Sequence, residues 1–101
     1  MSEEKLTPKQ RKAAVLQAAV ELCKTVGIDR ITRDEVARRA GVGHGTVTLY
    51  FNTMIQLRRA VARHGMSEYD PEILAQLLVH PTFKDKLSDF QRKTALQHLA
   101  V

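Results

Sequence analysis

Apolar residues recur along this chain at intervals of three and four and never alternate over the length of a strand, so the pattern predicts helices only. Val15, Leu16, Ala18, Ala19, Leu22, Cys23 and Val26 give a first helix a broad apolar face. It opens at Thr7, with Pro8 at the tolerated first position and Gln10 completing a capping box, and stops before Gly27. Thr32 and Glu35 form a T-x-x-E box ahead of Val36, Ala37 and Ala40, and Gly41 stands where a second helix leaves through a left-handed residue. A short third helix follows at once. A fourth begins after Asn52 or Thr53, carries Ile55, Leu57, Ala60 and Val61, and runs towards Gly65. Asp70 and Pro71 open a fifth with Ile73, Leu74, Leu77 and Leu78, ended by His80 and Pro81. Thr82 is expected to cap a sixth, with Phe83, Leu87, Phe90 and Leu99 along one side and Leu96 nearby.

The expected helices therefore cover about 7–26, 33–40, 44–51 and 54–64, and the chain divides into residues 1–65 and a short helical extension, 66–101. Within the first part, two short helices joined by a glycine turn and followed directly by a third helix start have the layout of a helix-turn-helix. The second of those helices, His44 to about Phe51, is rich in small polar groups and poor in charge. Such a face can press against base edges in a major groove. His44, Thr46 and Thr48 carry hydrogen-bonding groups near its front, Tyr50 has the reach to hold a phosphate, and Gly43 and Gly45 allow close approach of a backbone. Val47 and Phe51 read as core.

Charge narrows the partner. The chain carries a formal +5 and a pI of about 9.7, and the excess is uneven. Residues 1–65 hold twelve Lys and Arg against six Asp and Glu, a net +6, while 66–101 hold four against five, a net −1. Lys5, Lys9, Arg11 and Lys12 precede or open the first helix, and Arg30, Arg33, Arg38 and Arg39 flank the second. Double-stranded DNA is the expected partner. A membrane is not expected, for no run of 18 apolar residues and no signal peptide is present. Nor is an enzyme: the four histidines are widely spaced, Cys23 is the only cysteine, and there is no phosphate-binding glycine loop, so no metal and no cofactor are expected. Cys23 reads as a small core residue of a protein in a reducing, cytoplasmic compartment.

From Lys12 to Leu57 the chain resembles the N-terminal DNA-binding module of the TetR family. The resemblance rests on Ala18, Ala19, Leu22 and Cys23, then Gly27, Thr32, Val36, Ala37, then the run Ala40-Gly41-Val42 with Gly45, Thr46, Tyr50 and Phe51. It implies an all-α fold: a homeodomain-like three-helix helix-turn-helix core with a fourth helix, here followed by two short C-terminal helices. It also implies a sequence-specific transcriptional regulator. Three family anchors are replaced: Gly43 stands for a serine cap, Thr48 for a phosphate-holding tyrosine, and Met54 for a lysine opening the fourth helix. Arg33 stands for a phosphate-contacting serine or threonine, where its charge would release counterions on binding.

The expected DNA contacts are accordingly Thr32, Arg33, Gly43, His44, Gly45, Thr46, Thr48, Tyr50 and Thr53. By the same resemblance a full-length member continues for about another hundred residues into a ligand-binding, subunit-pairing domain, so this chain reads as a truncated form with no small-molecule ligand expected. Leu74, Leu77, Leu78, Phe83, Leu87 and Phe90 exceed what a three-helix reader needs and are expected either to pair two copies in a homodimer on a palindromic operator or to cover their own subunit. The expected role is a small dimeric repressor acting by operator occlusion. Alternatives are an architectural or accessory factor in recombination or replication, and a protein-binding adaptor that uses the same fold.

Overall fold

A computed structural model of the chain describes residues 6–100; Lys5, among the basic residues ahead of the first helix, lies outside the described residues. Six α-helices are present among the described residues, with no strand: α1 (Pro8–Val26), α2 (Arg33–Ala40), α3 (His44–Tyr50), α4 (Met54–Ser67), α5 (Pro71–Leu78) and α6 (Asp89–Leu99). The fold is all-α, as the apolar spacing requires.

Helix α1 is the central strut. Its N-terminus carries the complete capping box, Thr7 Oγ1 accepting from Gln10 N at 3.1 Å and Gln10 Oε1 accepting from Thr7 N at 2.9 Å. Its apolar face buries Val15, Ala18, Ala19, Val20, Leu22 and Cys23 against α2, α4, α3 and α5. One continuous core results, in which Ile31, Val36, Val47, Leu57, Val61, Ile73, Leu74 and Leu77 are all sealed from solvent. Cys23 is fully buried in it, and burial, with the nearby Asp70 carboxylate, pushes its thiol up to about 11.

Helix α4 continues past its expected end at Gly65 to Ser67. Gly65 is not an exit residue. It is buried where α4 meets α5, and a Cβ there would lie 2.3 Å from Ile73 Cγ2, so glycine is required for close approach of the two helices. The chain turns instead at Tyr69, whose φ of 51° is left-handed. Asp70 then caps α5 by accepting from Glu72 N at 3.1 Å and Ile73 N at 3.4 Å, and it pairs with Lys24 of α1 at 2.8 Å.

Gln76 joins α5 to the end of α1. Its side-chain amide accepts from Ile28 N at 2.8 Å, satisfying a backbone donor just past the end of α1, and donates to Cys23 O at 2.9 Å, which also accepts from Gly27 N at 3.0 Å.

The sixth helix differs from its expected start. Thr82 does not cap it; residues 81–83 form a turn, Lys84–Lys86 a single 3-10 turn, and α6 begins only at Asp89. Ser88 is the cap, and its box with Gln91 is reciprocal, at 3.1 and 2.8 Å. Phe83 and Leu87 are buried all the same, because the turn drops them into the core without helical spacing.

Burial also revises the expected pairing face. Leu74 and Leu77 are 0% exposed, Phe83 and Leu87 nearly so, and Leu78 is half-buried, all within the one subunit. These five belong to its own core or its margin. Of the six residues expected to meet a second copy, Phe90 alone projects into solvent, 67% exposed, with Tyr69 set edge-on to it at 5.4 Å between centroids.

Candidate nucleic-acid interface

The sharp turn between α2 and α3 follows from Gly41, whose φ of 71° and ψ of 32° are left-handed and whose N–H returns to Ala37 O and Arg38 O. Val42 N also bonds to Ala37 O, at 3.0 Å, and the Val42 side chain packs against the core, which sets the angle of the next helix. At the head of α2, Thr32 Oγ1 accepts from Glu35 N at 3.2 Å. The reciprocal half of that box does not form: the Glu35 carboxylate accepts a hydrogen bond from the Thr32 hydroxyl instead, at 3.1 Å.

Helix α3 has seven residues and buries only Val47. Tyr50 and Thr46 are half-buried, and Phe51 closes the core behind them. Its outward face is formed by His44, Gly45, Thr48 and Leu49, all exposed. No side chain caps its start, because Gly43 has none to offer.

Side chains from α1 and α2 hold this thinly buried helix. Arg33 reaches across to its far end, donating to Thr48 Oγ1 at 2.9 Å, Phe51 O at 3.3 Å and Asn52 O at 3.5 Å. A guanidinium there meets carbonyls with no helical partner and favours the negative end of the helix dipole. Asp34 hydrogen-bonds His44 at the near end, and this contact, with the imidazole charge, holds the Asp34 carboxyl below its usual range. Arg11 Nε donates to the Tyr50 hydroxyl at 3.4 Å, and Lys12 sits 5.6 Å from the centre of the Phe51 ring. Thr53 caps α4 by accepting from Gln56 N at 3.1 Å.

The structure thus gathers the nine expected contact residues around α2, α3 and the head of α4 but gives them unequal freedom. Gly43, His44, Gly45 and Thr48 lie open on α3. Thr32 and Thr53 are exposed at helix starts with their hydroxyls already engaged in caps. Thr46 and Tyr50 are half-buried, and Arg33 is turned onto α3.

Leu49 was not among the expected contacts, yet it is 73% exposed in the middle of the outward face. Its signal was present in the sequence. Two positions past Val47, it lies about 200° around the helix from the buried point, at about 100° per residue.

Residues 15–61, from within α1 to Val61 in α4, match the family described as "Bacterial regulatory proteins, tetR family". Over this stretch the chain is similar to that family. The match spans the whole of α2, the glycine turn and α3. The chain is also 30% identical over 63 residues to the uncharacterized HTH-type transcriptional regulator YvdT of Bacillus subtilis (strain 168), a stretch covering 62% of this chain and 32% of that protein. The chain therefore spans about a third of the length of the curated relative it matches. No solved structure matches. Among the described residues, no helix is long and apolar enough to cross a membrane.

Proposed function

We propose that this chain binds double-stranded DNA by laying the outward face of α3 into the major groove, and that it regulates transcription in the cytoplasm as a small dimeric repressor occluding a palindromic operator. The observation that carries the reading is Gly45. It is the second residue of α3, without a left-handed backbone, and a Cβ there would meet nothing within 4 Å. Neither packing nor chain direction calls for glycine, which costs a helix up to about 1 kcal/mol relative to alanine. Close approach from outside accounts for it.

Around that gap stand the groups a base reader uses. His44 and Thr48 offer hydrogen bonds, and Leu49 offers apolar contact to a thymine methyl. Thr32, Thr46, Tyr50 and Thr53 take positions at the rim, with Tyr50 and the helix starts directed to phosphates. Arg33 sets the tilt of α3 while adding positive charge beside the duplex. Residues 1–65 act as the reader and 66–101 as an extension whose exposed apolar residues include Phe90, Leu96 and Leu99, the candidates for pairing. The similarity to the Bacillus transcriptional regulator supports the same role.

The exposure of Leu49 and of Ile55 at the head of α4 favours one other reading, a protein-docking face. Mobility shift against genomic fragments at about 50 and about 200 mM salt separates the two. A DNA reader loses affinity steeply as salt rises while keeping one preferred fragment. An absence of any salt-sensitive complex overturns the proposal.

A further inference from the structure

Beyond the α3 face, the strongest unassigned feature is a groove of about 360 Å³ between α4 and the turn that follows α5. One wall comes from α4, where Arg59, Ala62, Arg63 and Met66 stand at positions i, i+3, i+4 and i+7 and so share a face. The other is the 82–86 segment, which contributes Phe83 and Lys86.

Charge in this groove is all of one sign. Arg59, Arg63 and Lys86 are exposed, and none of their side chains makes an ion pair or hydrogen bond among the described residues. No carboxylate lines it. The adjoining cavity, which shares Arg59 and Phe83, has one acid, Asp29, hydrogen-bonded to His80 at 3.0 Å. Three cations set around apolar surface focus a positive potential into a concave site, an arrangement with no use in the fold itself.

The far wall is held in place without a ligand. His80 O accepts from Phe83 N at 3.1 Å, His80 Nδ1 accepts from Thr82 N at 3.1 Å, and Phe83 O accepts from Lys86 N at 2.9 Å. A wall already ordered lowers the entropic cost of binding.

We propose that this groove binds a small organic anion, a phosphate or carboxylate carrying a flat apolar body. Arg59, Arg63 and Lys86 hold its charge, and the body lies against Met66 and the exposed edge of Phe83. The size fits, since sites for small molecules begin at about 300 Å³. The sequence alone points to no such ligand, because the groove exists only once the 82–86 turn lies alongside α4. The inference stands apart from the DNA reading: α4 begins next to α3, but Arg63 lies nine residues further along, about 13 Å up the helix axis at about 1.5 Å per residue.

The test is titration of the full chain with phenyl phosphate, followed by amide ¹H–¹⁵N correlation spectra, with inorganic phosphate and phenol titrated separately. Phenyl phosphate is expected to give saturable shifts at Ala62, Arg63, Phe83 and Lys86 and to bind at least about tenfold more tightly than either half alone. The combination of Arg63→Gln with Lys86→Gln is expected to weaken it about tenfold or more with an unchanged melting curve. Should that variant not fold, the unaltered chain gives the same answer: phenyl phosphate affinity falls with added salt and that of phenol does not. Equal binding of inorganic phosphate, equal binding of phenol, or full affinity in the folded double variant overturns the proposal. So does a duplex that shifts the same four amides and displaces phenyl phosphate, which would make the groove a track for the DNA backbone.

Discussion

Helices α3 and α5 are almost equal in length, seven residues and eight, and are held in opposite ways. Four of the eight residues of α5 are buried, and they mesh with α1, α4 and α6. Only Val47 of α3 is buried; its position depends on Arg33, Asp34 and Arg11 reaching it from neighbouring helices. The contrast separates two jobs. Where apolar burial holds a helix, its side chains are committed to the fold; where polar clamps hold it from the sides, its outward face can change with little effect on stability.

The largest expected effect tests the first half of that contrast. Leu77→Ala should cost about 2–5 kcal/mol in urea unfolding, the range for emptying a sealed core site, while Leu49→Ala on α3 should stay within about 0.5 kcal/mol. Comparable losses at the two positions would erase the distinction.

Gly65→Ala comes next. The added methyl meets Ile73 Cγ2 and Cβ at 2.3 and 2.8 Å, both on a side chain sealed between helices, so about 1–3 kcal/mol should be lost. A neutral result in the same unfolding experiment would mean that α4 and α5 slide apart easily and that α5 is less firmly set than its burial implies.

The cap of α5 adds a pH dependence. Burial pushes the Asp70 carboxyl up, but the Lys24 ammonium and the N–H groups of Ile73 and Glu72 outweigh it and hold Asp70 below its ordinary 3.8. A lowered value means that its contribution is complete above 3.8 and is lost as pH falls through the folded value. Asp70→Ala should cost about 1 kcal/mol at neutral pH, and its stability should fall less on acidification below 3.8 than that of the parent chain. Parallel acid unfolding curves would show that Asp70 does not carry this link.

The smallest effect has the sharpest meaning. Gly45→Ala should raise stability by up to about 1 kcal/mol, since the new methyl enters open space on a helix, and should at the same time weaken the preferred DNA complex. Thermal unfolding and fluorescence anisotropy with a labelled duplex read the two changes independently. A gain in stability with unaltered DNA affinity would remove the argument from close approach.

Much of this was legible in the chain. Helix starts are local events, and Thr7, Thr32, Thr53 and Asp70 each declared one through a side chain that reaches only two or three residues ahead. Gly41 was legible for the same reason, because a left-handed exit is a property of one residue. Thr82 misled because threonine before an apolar residue resembles a cap, whereas Ser88 with Gln91 makes the box that forms. Gly65 misled because a glycine near a helix end has two local meanings, exit and close packing, and only the position of Ile73 distinguishes them.

The sequence by itself determined the helical class, the α2–turn–α3 layout and the identity of the residues placed around it, since periodicity, caps and glycine turns act over a few neighbouring positions. Tertiary structure decided what those residues are free to do. It sent Leu74, Leu77, Phe83 and Leu87 into the subunit's own core, turned Arg33 onto α3, left Leu49 in the open and formed the groove between Arg63 and Lys86. The physical reason is common to all four: burial and pairing depend on which distant segments meet, and an apolar or charged side chain carries no local mark of what will lie opposite it.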